Sequence, residues 1–547
     1  MHSLIPLSLF LTVLDVAHAI RVPFNVHTGT TPARKLGRRA PVPINNIGNA
    51  EYISNITLAG VQVSVILDTG SSDLWVKFPG TAPSTNSTGK SLSLAYAVGS
   101  ASGNIQTAPL QFANFTVPDQ AFLQVSDSSS FSPNAAFNGL VGLGPNQGSQ
   151  IYKKLDSDAG GESMLNRIFA QDKLSENYMT FLLDRKNDPS DTLTGQFTIA
   201  EPVPGFENIT SQPKLNVETV YKILKDQQHW QALTDKNHLV GPDGNIIDIE
   251  SIVPKAPDGQ LVAVFDSGFT FSQVPRSVSD AIYGRVQGAV YDEKNQWWTV
   301  PCGQMLNVTF YFGGVAFPIH PLDVVDDNFS ITNANGSHVC IGAFQPITSA
   351  FSLFGNFDLI LGMSFLRNAY TLMDFGDWAV GSDKDQGDPY VQLLPLTTDL
   401  ATAHADFVKI RLAGTDTSNS SQYALLPTSE QQHSPISAAE KKAKYEEMIL
   451  SRWPYIFVGC LVFVGLVVGY IVWRCCCRKR RERNANKNKG FFEQKSQTYL
   501  PLQVQGQQSQ VQVNTPGFQE QHYPQQQPHY PQQEHYPQQQ QQGAYGY

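Results

Sequence analysis

Two carboxylates, each delivered by an apolar run into a short turn walled by hydroxyls, are the residues here whose types and spacing could do chemistry. The first is Asp68, in Val65-Ile66-Leu67-Asp68-Thr69-Gly70-Ser71-Ser72-Asp73-Leu74-Trp75-Val76. The second is Asp266, in Val262-Ala263-Val264-Phe265-Asp266-Ser267-Gly268-Phe269-Thr270. One Asp-Thr/Ser-Gly triplet in a chain of 547 residues is weak evidence; two copies, each ending a strand-like run, are much stronger. If the turns face each other, like charges that close cannot both ionise cheaply, so one pKa falls, the other rises, and the pair shares a proton over an acidic range. The ionised member then takes a proton from water while the protonated member donates to a carbonyl oxygen, the acid–base chemistry of amide hydrolysis without a covalent intermediate.

The rest of the chain must place these turns. Its length suits two lobes plus appendages. Charged residues make up only 16%, against 42 glycines and 34 prolines, which argues for a loop-rich β protein over a helical bundle. Short alternating runs such as Tyr52 to Leu58 and Val61 to Val65 carry the period-two signal of half-buried strands. Helical pattern is sparse, with Gly161 to Gln171 and Ser277 to Gln287 the better candidates. The formal charge of −9 includes a basic cluster just after residue 473, so the preceding part is more acidic still, which excludes nucleic acid as the main partner.

Several stretches between and after the two turns carry a resemblance. Ala95-Tyr96-Ala97-Val98-Gly99-Ser100 reads as a glycine-containing hairpin tip, and Asn138 to Gly144 and Leu359 to Gly362 each place an apolar pair before glycine behind one Asp turn. With the two Asp turns, these identify the chain as similar to the pepsin-like aspartic peptidases, in a membrane-anchored, fungal-type form. The resemblance covers roughly residues 50 to 395, continuing through Tyr370, Asp374-Phe375 and Val380-Gly381. It implies a mainly β, bilobal fold with two pseudosymmetric lobes, here 40–222 and 223–398. Asp68 and Asp266 would be the catalytic pair and Thr69, Gly70, Ser71, Ser267, Gly268 and Thr270 their support. Tyr96, Gly99 and Ser100 would belong to a flap over the cleft, with Trp75 beside the first Asp and its indole N–H toward the flap tyrosine. It further implies polypeptide substrates cut between bulky apolar residues, a monomer, and no metal or organic cofactor. Cys302 and Cys340 can pair in an oxidising compartment or remain buried thiols; the family often has a disulfide here, worth about 3 to 4 kcal/mol by loop-closure entropy.

The ends of the chain place it in the secretory pathway. Leu4 to Val16 is mostly apolar and ends at Ala17-His18-Ala19, a small-x-small cleavage pattern, so residues 1–19 read as a signal peptide. Lys35, Arg38 and Arg39 mark 20–39 as a propeptide cut at a paired-basic site. Asn-x-Ser/Thr sequons at Asn55, Asn86, Asn114, Asn208, Asn307, Asn328, Asn335 and Asn419 all precede the uncharged span 454–473. That span is about 30 Å long as a helix, enough to cross a bilayer. Arg474, Arg478, Lys479, Arg480, Arg481 and Arg483 follow it and put that end in the cytoplasm. The expected protein is a single-pass type I membrane protein at the plasma membrane or cell surface, with Golgi, endosome or vacuole membranes as alternatives. Residues 399–453 read as a stalk whose end, Ala438 to Trp453, is a charged helix. Residues 474–547 read as a disordered Gln/Pro-rich tail, a spacer or a cytoplasmic adaptor site. Cys475, Cys476 and Cys477 are either palmitoylation candidates or a tolerated cluster.

One position departs from the family pattern. Ser71 stands third after Asp68, where a hydroxyl donates to the carboxylate, whereas the matching position after Asp266 is Phe269. The missing donor disfavours ionised Asp266, unless Thr270 or water compensates. The same departure leaves a second reading open, a catalytically weak or silent surface protein that binds peptides or cell-wall polymers.

Overall fold

The computed structural model describes residues 42–96, 99–127, 135–171, 176–220, 222–333, 335–347, 356–379, 387–436 and 438–489. The expected signal peptide and propeptide, the flap residues Ala97 and Val98, the Val380-Gly381 match and the tail beyond 489 lie outside them. Residues to Phe457 belong to one compact unit and those from Val458 to a second.

The fold is mainly β, and its two halves repeat one arrangement. In the first half, Val61–Asp68 runs parallel to Gly139–Gly142, which pairs antiparallel with Leu74–Val76, itself parallel to Phe115–Asp127. In the second half, Val262–Phe265 runs parallel to Leu359–Leu361, which pairs antiparallel with Ser272–Val274, itself parallel to Phe344–Pro346. Three of these strands, Gly139–Gly142, Val262–Phe265 and Leu359–Leu361, have no polar side chain and are buried throughout, as expected of strands covered on both faces. The Asp turns therefore sit at the ends of matching strands in two similar sheets. A six-stranded sheet draws on both halves, with Tyr178–Leu182 antiparallel to Ala369–Asp374.

Helices are few. Met164–Phe169 forms within the first expected stretch and Arg276–Tyr283 begins one residue ahead of the second, each shorter than its pattern. Cys302 and Cys340 are disulfide-bonded, joining the end of Trp297–Val300 to its antiparallel neighbour His338–Gly342.

Two expected boundaries differ. The stalk does not begin at 399: Leu400–Arg411 is a helix with Phe407 and Ala403 buried, and Arg411 donates to Cys340 Sγ and to the Val325 carbonyl, each at 3.0 Å. Beyond it, Leu426 N–H donates to the Arg285 carbonyl at 2.8 Å, Arg285 Nε–H donates to the Leu426 carbonyl at 2.7 Å, and Ser434 donates to Asp280 at 2.7 Å. The stretch is polar in sequence, yet scattered apolar side chains and backbone bonds seat it on the second half. Residues 474–489 are likewise helical, continuing the helix Ala438–Lys489, because the apolar span has already nucleated it. Within that helix, Arg452–Arg478 is long and apolar enough to cross a membrane by length and composition, and its apolar window has no share buried, unlike a core helix.

The helix Leu400–Arg411 brings one carboxyl into a buried cluster. Asp188, His320 and Asp406 place their polar atoms within 4.8 Å of one another. His320 Nδ1 accepts the Leu322 N–H at 3.2 Å, so its neutral ring carries the proton on Nε2, 3.6 Å from Asp188. Burial pushes this imidazole down to about 4, so it is neutral through most of the acidic range. Burial opposes charge on Asp188, but Arg185, at 2.7 Å, and a hydrogen bond with Asp406 hold its carboxyl below the ordinary value. Burial and the Asp188 charge raise Asp406, against Ser190 and Lys409. While the pair holds one proton, the opposite shifts favour it on Asp406, in a carboxyl–carboxylate hydrogen bond with Asp188. The raised group contributes stability that is present below its unfolded pKa and lost as pH rises through its folded one; the lowered Asp188 contributes above its unfolded pKa and loses it in stronger acid. Asp406→Asn keeps a donor at every pH, so its melting temperature should fall less than the wild-type value between pH 4 and pH 7 in thermal scans; parallel decline would show that the pair carries none of the pH dependence.

Candidate active site

The matching strand ends bring the two Asp turns face to face. Thr69 and Ser267 bridge them reciprocally: Thr69 N–H donates to Ser267 Oγ at 3.0 Å, and Ser267 N–H donates to Thr69 Oγ1 at 2.9 Å. Each hydroxyl passes its own proton to the opposite strand, Thr69 Oγ1 to the Phe265 carbonyl at 2.8 Å and Ser267 Oγ to the Leu67 carbonyl at 2.7 Å. All four groups are buried, so none is satisfied unless the turns are in register.

The glycines let the carboxyls meet. A Cβ on Gly70 would collide with the Asp266 carboxyl, and one on Gly268 would lie 2.5 Å from Asp68 Oδ1. Asp68 is 5% and Asp266 6% exposed, too little for water to screen two charges.

Donors are distributed unequally. Asp68 Oδ1 accepts Gly70 N–H at 2.9 Å and Oδ2 accepts Ser71 Oγ–H at 2.5 Å. Asp266 Oδ1 accepts Gly268 N–H at 2.7 Å. Phe269, at the third position, packs with Val262, Val264, Phe357 and Ile360 instead of donating. Thr270 does not compensate through its described bond, since its hydroxyl donates to the Ala50 carbonyl at 2.8 Å. Burial first, then the Asp68 charge, hold the Asp266 carboxyl well above the usual range, against the Gly268 N–H; a hydrogen bond to Asp68 adds to the rise. While the pair holds one proton, these partners favour it on Asp266 and leave Asp68 as the anion with the larger number of donors.

The hairpin Asn86–Ala95/Ser100–Phe112 closes with Ala95 opposite Ser100 and a bond from Tyr96 N–H to the Gly99 carbonyl at 3.0 Å, and Gly99 at φ 81° supplies the left-handed residue of the turn. The Tyr96 ring lies 6.5 Å from Trp75. Burial, with smaller contributions from Asp73 and Asp68, raises the phenol well above its ordinary value, while a hydrogen bond with Trp75 opposes the rise. Tyr96 is thus a neutral hydroxyl near Asp68.

Sequence reasoning passed over three residues here. Asp73 accepts Ser149 Oγ–H at 2.6 Å and the Gln150 and Ile151 N–H groups at 2.9 Å, tying the segment after the first turn to a helix start. Trp230 Nε1–H donates to the Leu143 carbonyl at 3.1 Å, across the two halves. His229 packs edge-on against Phe357 at 6.1 Å; burial lowers its imidazole, and a hydrogen bond to the Gly70 backbone works the other way. Adjacent polar and aromatic residues 228–230 were the only available signal.

Seven of the eight sequon asparagines are exposed; Asn328 is half-buried, and its amide donates to Asp326 at 2.6 Å.

Residues 51–384, more than half of the chain, match the family model for eukaryotic aspartyl protease, and the chain belongs to that family. In class it is an aspartic-type endopeptidase. A probable aspartic-type endopeptidase of Trichophyton verrucosum is 24% identical over 349 residues, covering 60% of this chain and 75% of the relative. Vacuolar protease A of Neurospora crassa is 26% identical over 365 residues, covering 62% and 80%. An aspartic proteinase from Irpex lacteus of known structure aligns at 17% identity with a TM-score of 0.49, covering 67% of this chain and 99% of the other.

Removing one bridging hydroxyl should be costly without touching either carboxyl. Ser267→Ala strands the buried Thr69 N–H and Leu67 carbonyl, and denaturant unfolding should show a loss of about 1–3 kcal/mol; unchanged stability would mean that the crossing bonds do not hold the halves in register.

Proposed function

We propose that this protein hydrolyses peptide bonds of polypeptides at acidic pH, with Asp68 and Asp266 as the catalytic pair. The observation that carries the reading is the unequal hydrogen bonding of two facing buried carboxyls. Asp68, with two donors, is the anion that takes a proton from the attacking water. Asp266, with its raised pKa, donates to the scissile carbonyl oxygen. As the tetrahedral intermediate collapses, proton transfer from the dyad makes the amine a neutral leaving group. Tyr96, a neutral donor at the base of the hairpin tip, closes over the bound chain and excludes water.

The active site faces the lumen or the cell exterior, with 452–478 as the anchor, the sequons as glycan acceptors and the paired-basic site releasing the mature chain. The disulfide fits that oxidising side of the membrane. This topology suits the plasma membrane or cell surface, and equally a Golgi, endosome or vacuole membrane.

With full-length protein and a denatured-protein substrate read by mass spectrometry, Asp68→Asn and Asp266→Asn should each lower cleavage by roughly 10²–10⁴-fold, the span of general acid–base catalysis. Cleavage retained in both variants would remove the dyad assignment. No cleavage by folded wild type from pH 3 to 7 would leave only a peptide-binding cleft.

Phe269→Thr separates the asymmetry from the dyad itself. A third-position hydroxyl stabilises ionised Asp266, so the proton is lost at lower pH and the alkaline limb of kcat/KM should move toward acid. Activity at a fixed pH on that limb should fall roughly tenfold, from a charge-assisted bond of about 1.5 kcal/mol. Superimposable profiles would show that Phe269 does not tune the pair.

A further inference from the structure

We infer that Cys475, Cys476 and Cys477 are a fatty-acylation site, taking long-chain acyl groups as thioesters; this rests on the reading of 452–478 as a membrane span. The cysteines divide by side of that span. Cys302 and Cys340, before it, are disulfide-bonded, whereas Cys475, Cys476 and Cys477 are free and exposed at its far end, as expected if that end lies in a reducing compartment.

Their position on the helix suits the chemistry. Trp473, paired with Tyr470 at 6.2 Å, supplies the aromatic boundary, and the thiols follow within one turn, ahead of the run from Arg478 to Arg483. A thiol here is at the level of the headgroups. A membrane-bound transferase can reach it, and an attached chain can fold back into the acyl region without dragging charge inward. At 3.6 residues per turn, three consecutive thiols fan over about 200° of the helix surface, so acyl chains would enter the lipid on several sides. Cys460, also free, lies about 22 Å back along the axis, within the span, and is an internal control.

The step is a balanced thioester exchange. A cysteine sulfur attacks the carbonyl carbon of a long-chain acyl-coenzyme A, the bond from that carbon to the coenzyme A sulfur breaks, and the proton from cysteine ends on the departing coenzyme A thiol. Nothing is oxidised or reduced. The product reverses with hydroxylamine, which supplies the assay.

The full-length chain is expressed in a eukaryotic cell, free thiols are blocked, and hydroxylamine-released thiols are tagged with a maleimide polymer that shifts mobility. Alkaline carbonate extraction of the same membranes runs in parallel. Wild type should show hydroxylamine-dependent shifts of up to three steps. The triple variant Cys475→Ser/Cys476→Ser/Cys477→Ser should show none, and Cys460→Ser should match wild type. A carbonate-resistant wild-type chain without a hydroxylamine-dependent shift would overturn the inference while leaving the span intact, as would a shift that survives in the triple variant. A wild-type chain extracted by carbonate would overturn the span and, with it, this site.

Discussion

Two carboxyls buried against each other cannot both be charged, and much of this fold serves to hold them where that conflict is resolved by a single shared proton. Water would relax the repulsion by screening or by letting the groups part; the site permits neither. The reciprocal bonds of Thr69 and Ser267 lock the turns, and the glycines beside them admit the opposing carboxyl. Satisfying the buried amides and hydroxyls requires the same registry that brings the acids together, so the backbone's own hydrogen bonding supports the electrostatic strain.

Symmetry supplies the pair, and asymmetry assigns its roles. The two strand arrangements match pairing for pairing, so each Asp leaves its sheet in the same direction. The halves then diverge at the third turn residue. Ser71 gives Asp68 a second donor, while Phe269 takes the equivalent volume into an apolar cluster. A difference of one hydrogen bond is small beside the whole fold, yet it acts on the ionised form of one partner alone. That suffices to bias where a shared proton rests.

Much of the site was legible because its signals are local. An apolar run ending in Asp-Thr-Gly or Asp-Ser-Gly states strand, turn and carboxylate within a few residues, and the second copy states the repeat. The flap glycine and tyrosine, the glycine after each apolar pair and the two cysteines before the apolar span are similarly compact marks. Thr270 shows the limit: its place in the motif made it a substitute donor, but its hydroxyl reaches Ala50, 220 residues away in sequence. The polar composition of residues 399–436 implied a stalk, because the few side chains that seat it are spaced irregularly and show no periodic face.

By itself, the sequence determined the class of chemistry, the mainly β build, the repeat and the order of segments along the chain, since each depends on residue type and short-range spacing. Only the tertiary structure decided that Thr270 turns to Ala50 and leaves Asp266 without that substitute donor, that a sheet is shared between the halves, that the segment after 399 packs down, and that Asp406 meets Asp188. Those outcomes depend on burial and on partners far apart in the chain. Desolvation of a charge and satisfaction of a buried donor are properties of the assembled interior, which no local pattern records.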